Sequence, residues 1–188
     1  AAAAYYNDSR EKGFKTVFSA YAEATILPEK LKFKTSYNLD FYHYDLRSYT
    51  PEFNVGGSQG NATSALSKTY GYGTYHIIDN TLTYSDTKGA HSFSAMLGQS
   101  TRMQYNASLS GRANSVPGFD EQSKYLVNGS YKNQTTSDAA SRYNGLSFFA
   151  RGTYNYKDKY LATVTLRADG SSKYQQKWGF FPSVGLGG

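Results

Sequence analysis

Three histidines, His43, His76 and His91, are the side chains of this sequence best suited to moving protons or holding a metal. Their spacing supports neither role, because they fall on separate segments and no two share the short offsets that gather ligands around one ion. Serine is abundant, yet no serine stands in a Gly-x-Ser-x-Gly elbow, so no nucleophile, base and acid can be assembled. Cysteine is absent, which removes disulfides, thiolate metal sites and a cysteine nucleophile. No catalytic residue, metal ligand or cofactor site is therefore expected. The chemistry left is recognition. Glu23, Lys32, Lys34, Asp40, Arg151, Arg167 and Asp169 place charge inside otherwise regular alternating stretches. Tyr49, Tyr70, Tyr72 and Tyr125 stand among Gly, Ser and Asn, where an aromatic face beside hydroxyls and amides suits a sugar ring, a peptide, or plain cohesion of a loop.

The elements that must position these residues are strands. Tyrosine (19), phenylalanine (11) and glycine (18) are prominent among 188 residues, while strong helix formers are scarce, which favours an all-β chain. The net charge of +6 is spread along the sequence, and no nucleic-acid motif accompanies it, so no nucleic acid partner is expected. No apolar run approaches the roughly 20 residues of a membrane-spanning helix. No secretory signal is visible, and Ala1-Ala2-Ala3-Ala4 reads as placeholder residues or a remnant.

Alternation recurs along the chain. From Phe14 to Ile26 one parity is apolar or small, and Leu31, Phe33, Tyr37, Leu39 and Phe41 alternate with Lys32, Lys34, Ser36, Asn38 and Asp40. Strands are expected at about 14–27, 31–45, 74–84, 91–102, 146–156, 160–169 and 178–188, with long loops at about 46–73 and 105–144. Short connections thus alternate with very long ones, the layout of an outer-membrane barrel with tight periplasmic turns and long extracellular loops. Tyr84, Tyr154, Tyr156 and Tyr160 beside the short turns would form an interfacial belt. The competing architecture is a soluble carbohydrate-binding β-sandwich, which also alternates but uses shorter strands. The face holding Phe33, Leu39, Phe41 and Phe148 separates the two: exposed in a barrel, covered by a second sheet in a sandwich. A passive porin is a further, weaker alternative.

The stretch "NYKDKYLATVTLRADGSSKY", Asn155 to Tyr174, shows how charge and strand coexist. If Tyr160, Ala162, Val164, Leu166 and Ala168 meet lipid, then Leu161, Thr163, Thr165, Arg167 and Asp169 face the lumen, and both charges stay wet. Arg151 on the preceding strand should approach Arg167, with Asp169 offsetting their repulsion. Asp169-Gly170 should close the strand in a turn where glycine supplies a positive φ.

The same stretch, followed by "WGFFPSVGLG", resembles the mid-barrel signature of SusC/RagA-like TonB-dependent outer-membrane transporters of Bacteroidota. The resemblance extends through "AYAEATILPEKLKFKTSYNLDF", "NTLTYSDTKGAHSFSAMLGQS" and "LSFFARGTYNY". It implies an antiparallel transmembrane β-barrel of about 22 strands around a plugged lumen, of which this chain would supply about seven strands, with the plug domain absent. It further implies a bacterial outer-membrane location, active import of oligosaccharides or peptides, a SusD-like surface lipoprotein as partner, and contact with TonB through the missing plug region. It implies no enzyme activity and no cofactor.

Overall fold

The computed structural model describes residues 6–56, 59–175 and 177–188, so the reading of Ala1–Ala4 lies outside the described residues. The strands are β1 (Asp8–Leu27), β2 (Leu31–Thr50), β3 (Phe53–Asn54), β4 (Gly60–Asn61), β5 (Ala65–Lys88), β6 (His91–Asn114), β7 (Thr135–Tyr156), β8 (Tyr160–Ser171) and β9 (Trp178–Gly187). Seven of them form one sheet in the order β1-β2-β5-β6-β7-β8-β9, and β3 pairs only with β4. No described helix is long and apolar enough to cross a membrane.

Three neighbouring pairs in this sheet, β1–β2, β5–β6 and β7–β8, meet through tight turns. Between β1 and β2 the Lys30 amide donates to the Leu27 carbonyl at 3.1 Å, and between β5 and β6 Gly89 takes φ +60°. Lys157 and Asp158, at φ 53° and 54°, join β7 to β8. Two consecutive left-handed residues make the turn whose twist matches that of the flanking strands. The Asp158 carboxylate accepts a 2.6 Å hydrogen bond from the Asn155 amide there.

Extended structure reaches well past the expected bounds. The expected loop at 46–73 is strand up to Thr50 and again from Ala65, and the one at 105–144 is strand up to Asn114 and again from Thr135. Strand pairing needs only extended backbone and a hydrogen-bonding neighbour, whereas the period-two signal needs one dry face. In Gln104–Asn114 the alternation persists in weak form, Tyr105, Ala107, Leu109, Gly111 and Ala113 against Asn106, Ser108, Ser110 and Arg112, and the ladder continues where small residues blunt the apolar signal. The turn expected at Asp169-Gly170 is likewise absent: Gly170 pairs with Leu146 and with Trp178 inside the sheet.

The chain divides into two compact units. The first comprises Ala1–Thr16, Phe41–Gly73 and Asn106–Ser141. Its small core joins Tyr49, Leu66, Ala113 and Val116, with Leu126 packed against it. The Tyr49 hydroxyl donates to the Val116 carbonyl at 3.2 Å, and Ser64 Oγ donates to the same oxygen at 2.8 Å. Gly118 passes so close to the Tyr49 ring that a Cβ would collide with the hydroxyl. The β6–β7 connection, carrying single 3-10 turns at Leu126–Asn128 and Tyr131–Asn133, is thereby fastened down rather than left loose.

The second unit comprises Val17–Asp40, Thr74–Tyr105 and Arg142–Gly188. In it β7, β8 and β9 run antiparallel in an uninterrupted register, with Val164 opposite both Gly152 and Val184.

Candidate functional site

Successive strand side chains point to opposite faces, so the register of β7, β8 and β9 sorts them into two sets. On one face lie the rows Leu146–Gly170–Trp178, Phe148–Ala168–Phe180, Ala150–Leu166–Pro182, Gly152–Val164–Val184 and Tyr154–Ala162–Leu186, ending at the pair Tyr156–Tyr160. No member of these rows is charged. Val184 and Leu186 are 71% and 83% exposed, and no second sheet covers them among the described residues. Aromatic rings mark both ends of the face: Tyr154, Tyr156 and Tyr160 near the turn, and Trp178, stacked on Phe148 at 6.2 Å, at the other. From Tyr160 to Gly170 is ten steps of about 3.3 Å. With strands tilted by about 40° this gives a height of about 25 Å, the thickness of the apolar band of an outer-membrane barrel.

The opposite face is polar. Its rows are Ser147–Asp169–Gly179, Phe149–Arg167–Phe181, Arg151–Thr165–Ser183, Thr153–Thr163–Gly185 and Asn155–Leu161–Gly187. Arg167 Nε donates to both carboxylate oxygens of Asp169 at 2.8 Å, and its guanidinium lies 5.9 Å from the Phe149 ring. Arg151 stands opposite Thr165 rather than Arg167, so the two arginines are diagonal neighbours and Asp169 serves Arg167. Gly98 on β6 lies under the Phe149 ring, where a Cβ would meet ring carbons.

The remaining charged candidates follow the same logic. Glu23 and Lys32 pair across the first hairpin at 3.4 Å, and Lys34 lies 4.8 Å over the Tyr21 ring, so these four share a face. Asp40 shares the parity of Lys32 and Lys34 on β2 and is half-buried.

The tyrosine candidates separate. Tyr49, expected as a loop aromatic open to ligand, is 5% exposed and belongs to the small core, because its ring fills the space between Leu66 and Val116. Tyr70 and Tyr72 are exposed, but they stand on β5 and not in a loop. Tyr125 does lie in a connection, half exposed, with Lys68 Nζ 4.3 Å from its ring centre.

Two features went unread in the sequence. The first is an ion network in the first unit. Arg47 donates to Glu121 at 2.7 Å and to Asp8 at 3.0 Å, Lys124 reaches Asp8 at 2.8 Å and Glu121 at 3.0 Å, and Arg10 reaches Glu121 at 3.1 Å. Hydrogen bonds from Arg47 and then Lys124 hold the Glu121 carboxyl down at about 2, and the bond to Asp8 raises Lys124. The second is a polar row interrupting the apolar face. His91 bonds Tyr154 at 2.6 Å, which puts the odd residues of β6 on the Tyr154 side. Gln99 therefore belongs to that face, and there Thr35 donates to Asn80 (2.8 Å), Asn80 to Gln99 (2.7 Å) and Gln99 to Thr101 (2.5 Å). Beside it the Tyr37 hydroxyl meets His76 Nδ1 at 2.8 Å.

With this geometry, the similarities to known proteins fall into place. The chain is 26% identical over 190 residues to TonB-dependent receptor P39 of Formosa agariphila, covering 96% of this chain and 17% of that protein. It is 30% identical over 157 residues to TonB-dependent receptor P3 of the same organism, covering 81% and 15%. It is 32% identical over 107 residues to TonB-dependent receptor SusC of Bacteroides thetaiotaomicron, covering 55% and 10%. The solved RagAB peptide transporter superposes with a TM-score of 0.85 at 17% identity, over 97% of this chain and 20% of that one. No family model matches. The chain belongs to the SusC/RagA-like TonB-dependent receptors. It spans about one-sixth of the length of the first two of these relatives. Its fold is the barrel portion of such a receptor, an antiparallel transmembrane sheet, and the sandwich alternative falls because the face of Phe33 and Phe148 has no second sheet upon it among the described residues. The family is one of transporters and not of enzymes.

Proposed function

We propose that this chain is part of the wall of an outer-membrane importer that takes up oligosaccharides or peptides under TonB drive, with a SusD-like lipoprotein capturing substrate at the surface. The observation that carries the reading is the division of β7, β8 and β9 into a face without charge, bounded by aromatic rings about 25 Å apart, and a face carrying Arg151, Arg167 and Asp169. The relatives named TonB-dependent receptor support energised import, and the RagAB likeness supports the wall architecture.

In this reading the apolar face meets lipid and the polar face lines the lumen. Glu23 with Lys32, and Arg167 with Asp169, neutralise each other within the wall, which is how charge is kept on a partly dry surface. The β6–β7 connection supports a protein partner at the surface: Phe119, Val127 and Tyr131 are each about 80% exposed on a segment otherwise pinned by the Tyr49 core and the Glu121 network. Large apolar side chains exposed on a pinned connection are what a protein-binding surface offers.

The test uses cells carrying the full-length transporter that contains this segment. Uptake of labelled oligosaccharide or peptide, with and without TonB, should show energy-dependent entry and an outer-membrane location by fractionation. Entry that persists undiminished without TonB would defeat the importer reading. A cysteine scan checks the faces: Val184→Cys should react with a membrane-soluble maleimide, and Thr163→Cys with a water-soluble one.

A further inference from the structure

The polar face holds an open pocket of about 450 Å³ at the end of β7, β8 and β9 away from their tight turn, a size within the range of small-ligand sites. Arg102, Tyr143, Asp169, Tyr174, Lys177 and Phe181 line it. Its charges are unequal. Asp169 is engaged by Arg167 through both oxygens and also feels the charge of Arg102, so with Arg102 and Lys177 the pocket keeps an excess of positive charge. Arg102 Nε is buried with no hydrogen-bond partner among the described residues, a donor held out of water and left unused. A further ammonium, Lys173, lies 5.3 Å from the Tyr143 ring.

The backbone of β7 and β8 around the pocket is not available to a ligand. Gly145 and Ser147 pair with Ser171 and Asp169, and Asp169 and Gly170 pair with Gly179 and Trp178, so the main chain is spent in the ladder. Strand addition to β7 or β8 is therefore closed to a peptide, and a peptide could pair only along the outer edge of β9. What the pocket offers instead is ring faces, hydroxyls and cations. Rings stack on sugar faces, and a guanidinium binds a carboxylate with a directed, charge-assisted bond.

We propose that this pocket is a subsite for an acidic oligosaccharide, with Arg102 and Lys177 holding a uronate carboxylate and Tyr143, Tyr174 and Phe181 stacking on the sugar rings. The inference rests on the importer reading, since it names the substrate class that the wall would meet. Arg102 is the contact on the sheet, and Lys177 is its companion on the β8–β9 connection.

Binding to the purified full-length transporter, measured by calorimetry, tests it with three probes: an oligogalacturonate tetrasaccharide, its carboxyl-reduced neutral counterpart, and hexaglutamate. The acidic sugar should bind at least about tenfold more tightly than the neutral one, the size of one charge-assisted hydrogen bond. Arg102→Gln and Lys177→Gln should each shrink that ratio, and Arg102→Lys should keep part of it. Lys177 is exposed, so its variant stays informative if the Arg102 change disturbs folding. Equal binding of the two sugars, absence of binding by the acidic sugar, or an acid preference that survives both glutamine variants overturns the site. Hexaglutamate binding as tightly as the acidic sugar overturns the saccharide assignment. Loss of the importer reading is separate: TonB-independent uptake removes that reading, while the binding ratio still decides the pocket.

Discussion

Val184→Arg and Ser183→Arg place the same charge one residue apart on β9 and should behave oppositely. Val184 pairs with Val164, four residues above Tyr160 and six below Gly170. At about 3.3 Å per step and a tilt of about 40°, it sits about 10 Å into a band about 25 Å thick, close to its middle. Arginine at that depth on a lipid face costs about 2–4 kcal/mol, whereas Ser183 lies on the polar face beside Thr165, where the charge remains hydrated and the cost should be within about 0.5 kcal/mol. A depth control is Trp178→Arg at the rim of the band, whose charge term should be about 0–1 kcal/mol. The assay is urea-induced unfolding of the full-length transporter in lipid vesicles, followed by heat-modifiable migration on gels. Equal losses at 183 and 184, or a greater loss at 183, would refute the assignment of faces.

Lowering pH should free the β6–β7 connection. Glu121 titrates at about 2 in the folded chain against an ordinary 4.5, so its stabilising contacts are complete above 4.5 and vanish as pH falls toward 2. Protection factors across residues 115–134, corrected for the intrinsic pH dependence of amide exchange, should fall through that window in the wild type and lose most of that change in Glu121→Gln. Tyr49→Phe should loosen the same segment by only about 0.5–1.5 kcal/mol, because Ser64 still satisfies the Val116 carbonyl, while Tyr49→Ala opens a cavity and should cost about 3–5 kcal/mol by the same exchange measurement. Asn80→Leu strands Gln99 and Thr35 and should lower urea stability by about 1–3 kcal/mol, and Asn80→Leu with Gln99→Leu should recover part of it.

The faces were legible because alternation is a local property. Tyr160, Ala162, Val164 and Leu166 declare their side without knowledge of any neighbour, and the rows they join in the sheet have the expected parity. Strand ends were not, since Ala107, Gly111 and Ala113, which alternate with Ser108, Ser110 and Arg112, are too small to mark a face strongly, and the extension depends on pairing with neighbouring strands. Tyr49 misled for a related reason: its burial is made by Leu66, Ala113 and Val116, which nothing in the sequence around Tyr49 announces. Arg102 was recoverable, because it shares parity with Ser92, Ser94 and Met96, the polar side of β6. Its unused donor became visible only once β7 to β9 stood around it.

The row Thr35–Asn80–Gln99–Thr101 bears on how such a wall enters a membrane. Each amide has its partner on an adjacent strand, so β2, β5 and β6 form a hydrogen-bonded unit within an otherwise oily surface. A single strand moving into hydrocarbon would bring Asn80 or Gln99 in bare, at several kcal/mol per unpaired group. If this face meets lipid as proposed, insertion strand by strand would be uphill at this point, and docking of the three strands before crossing would be favoured. In that setting the row would favour entry of the sheet in its correct register over entry of separate strands.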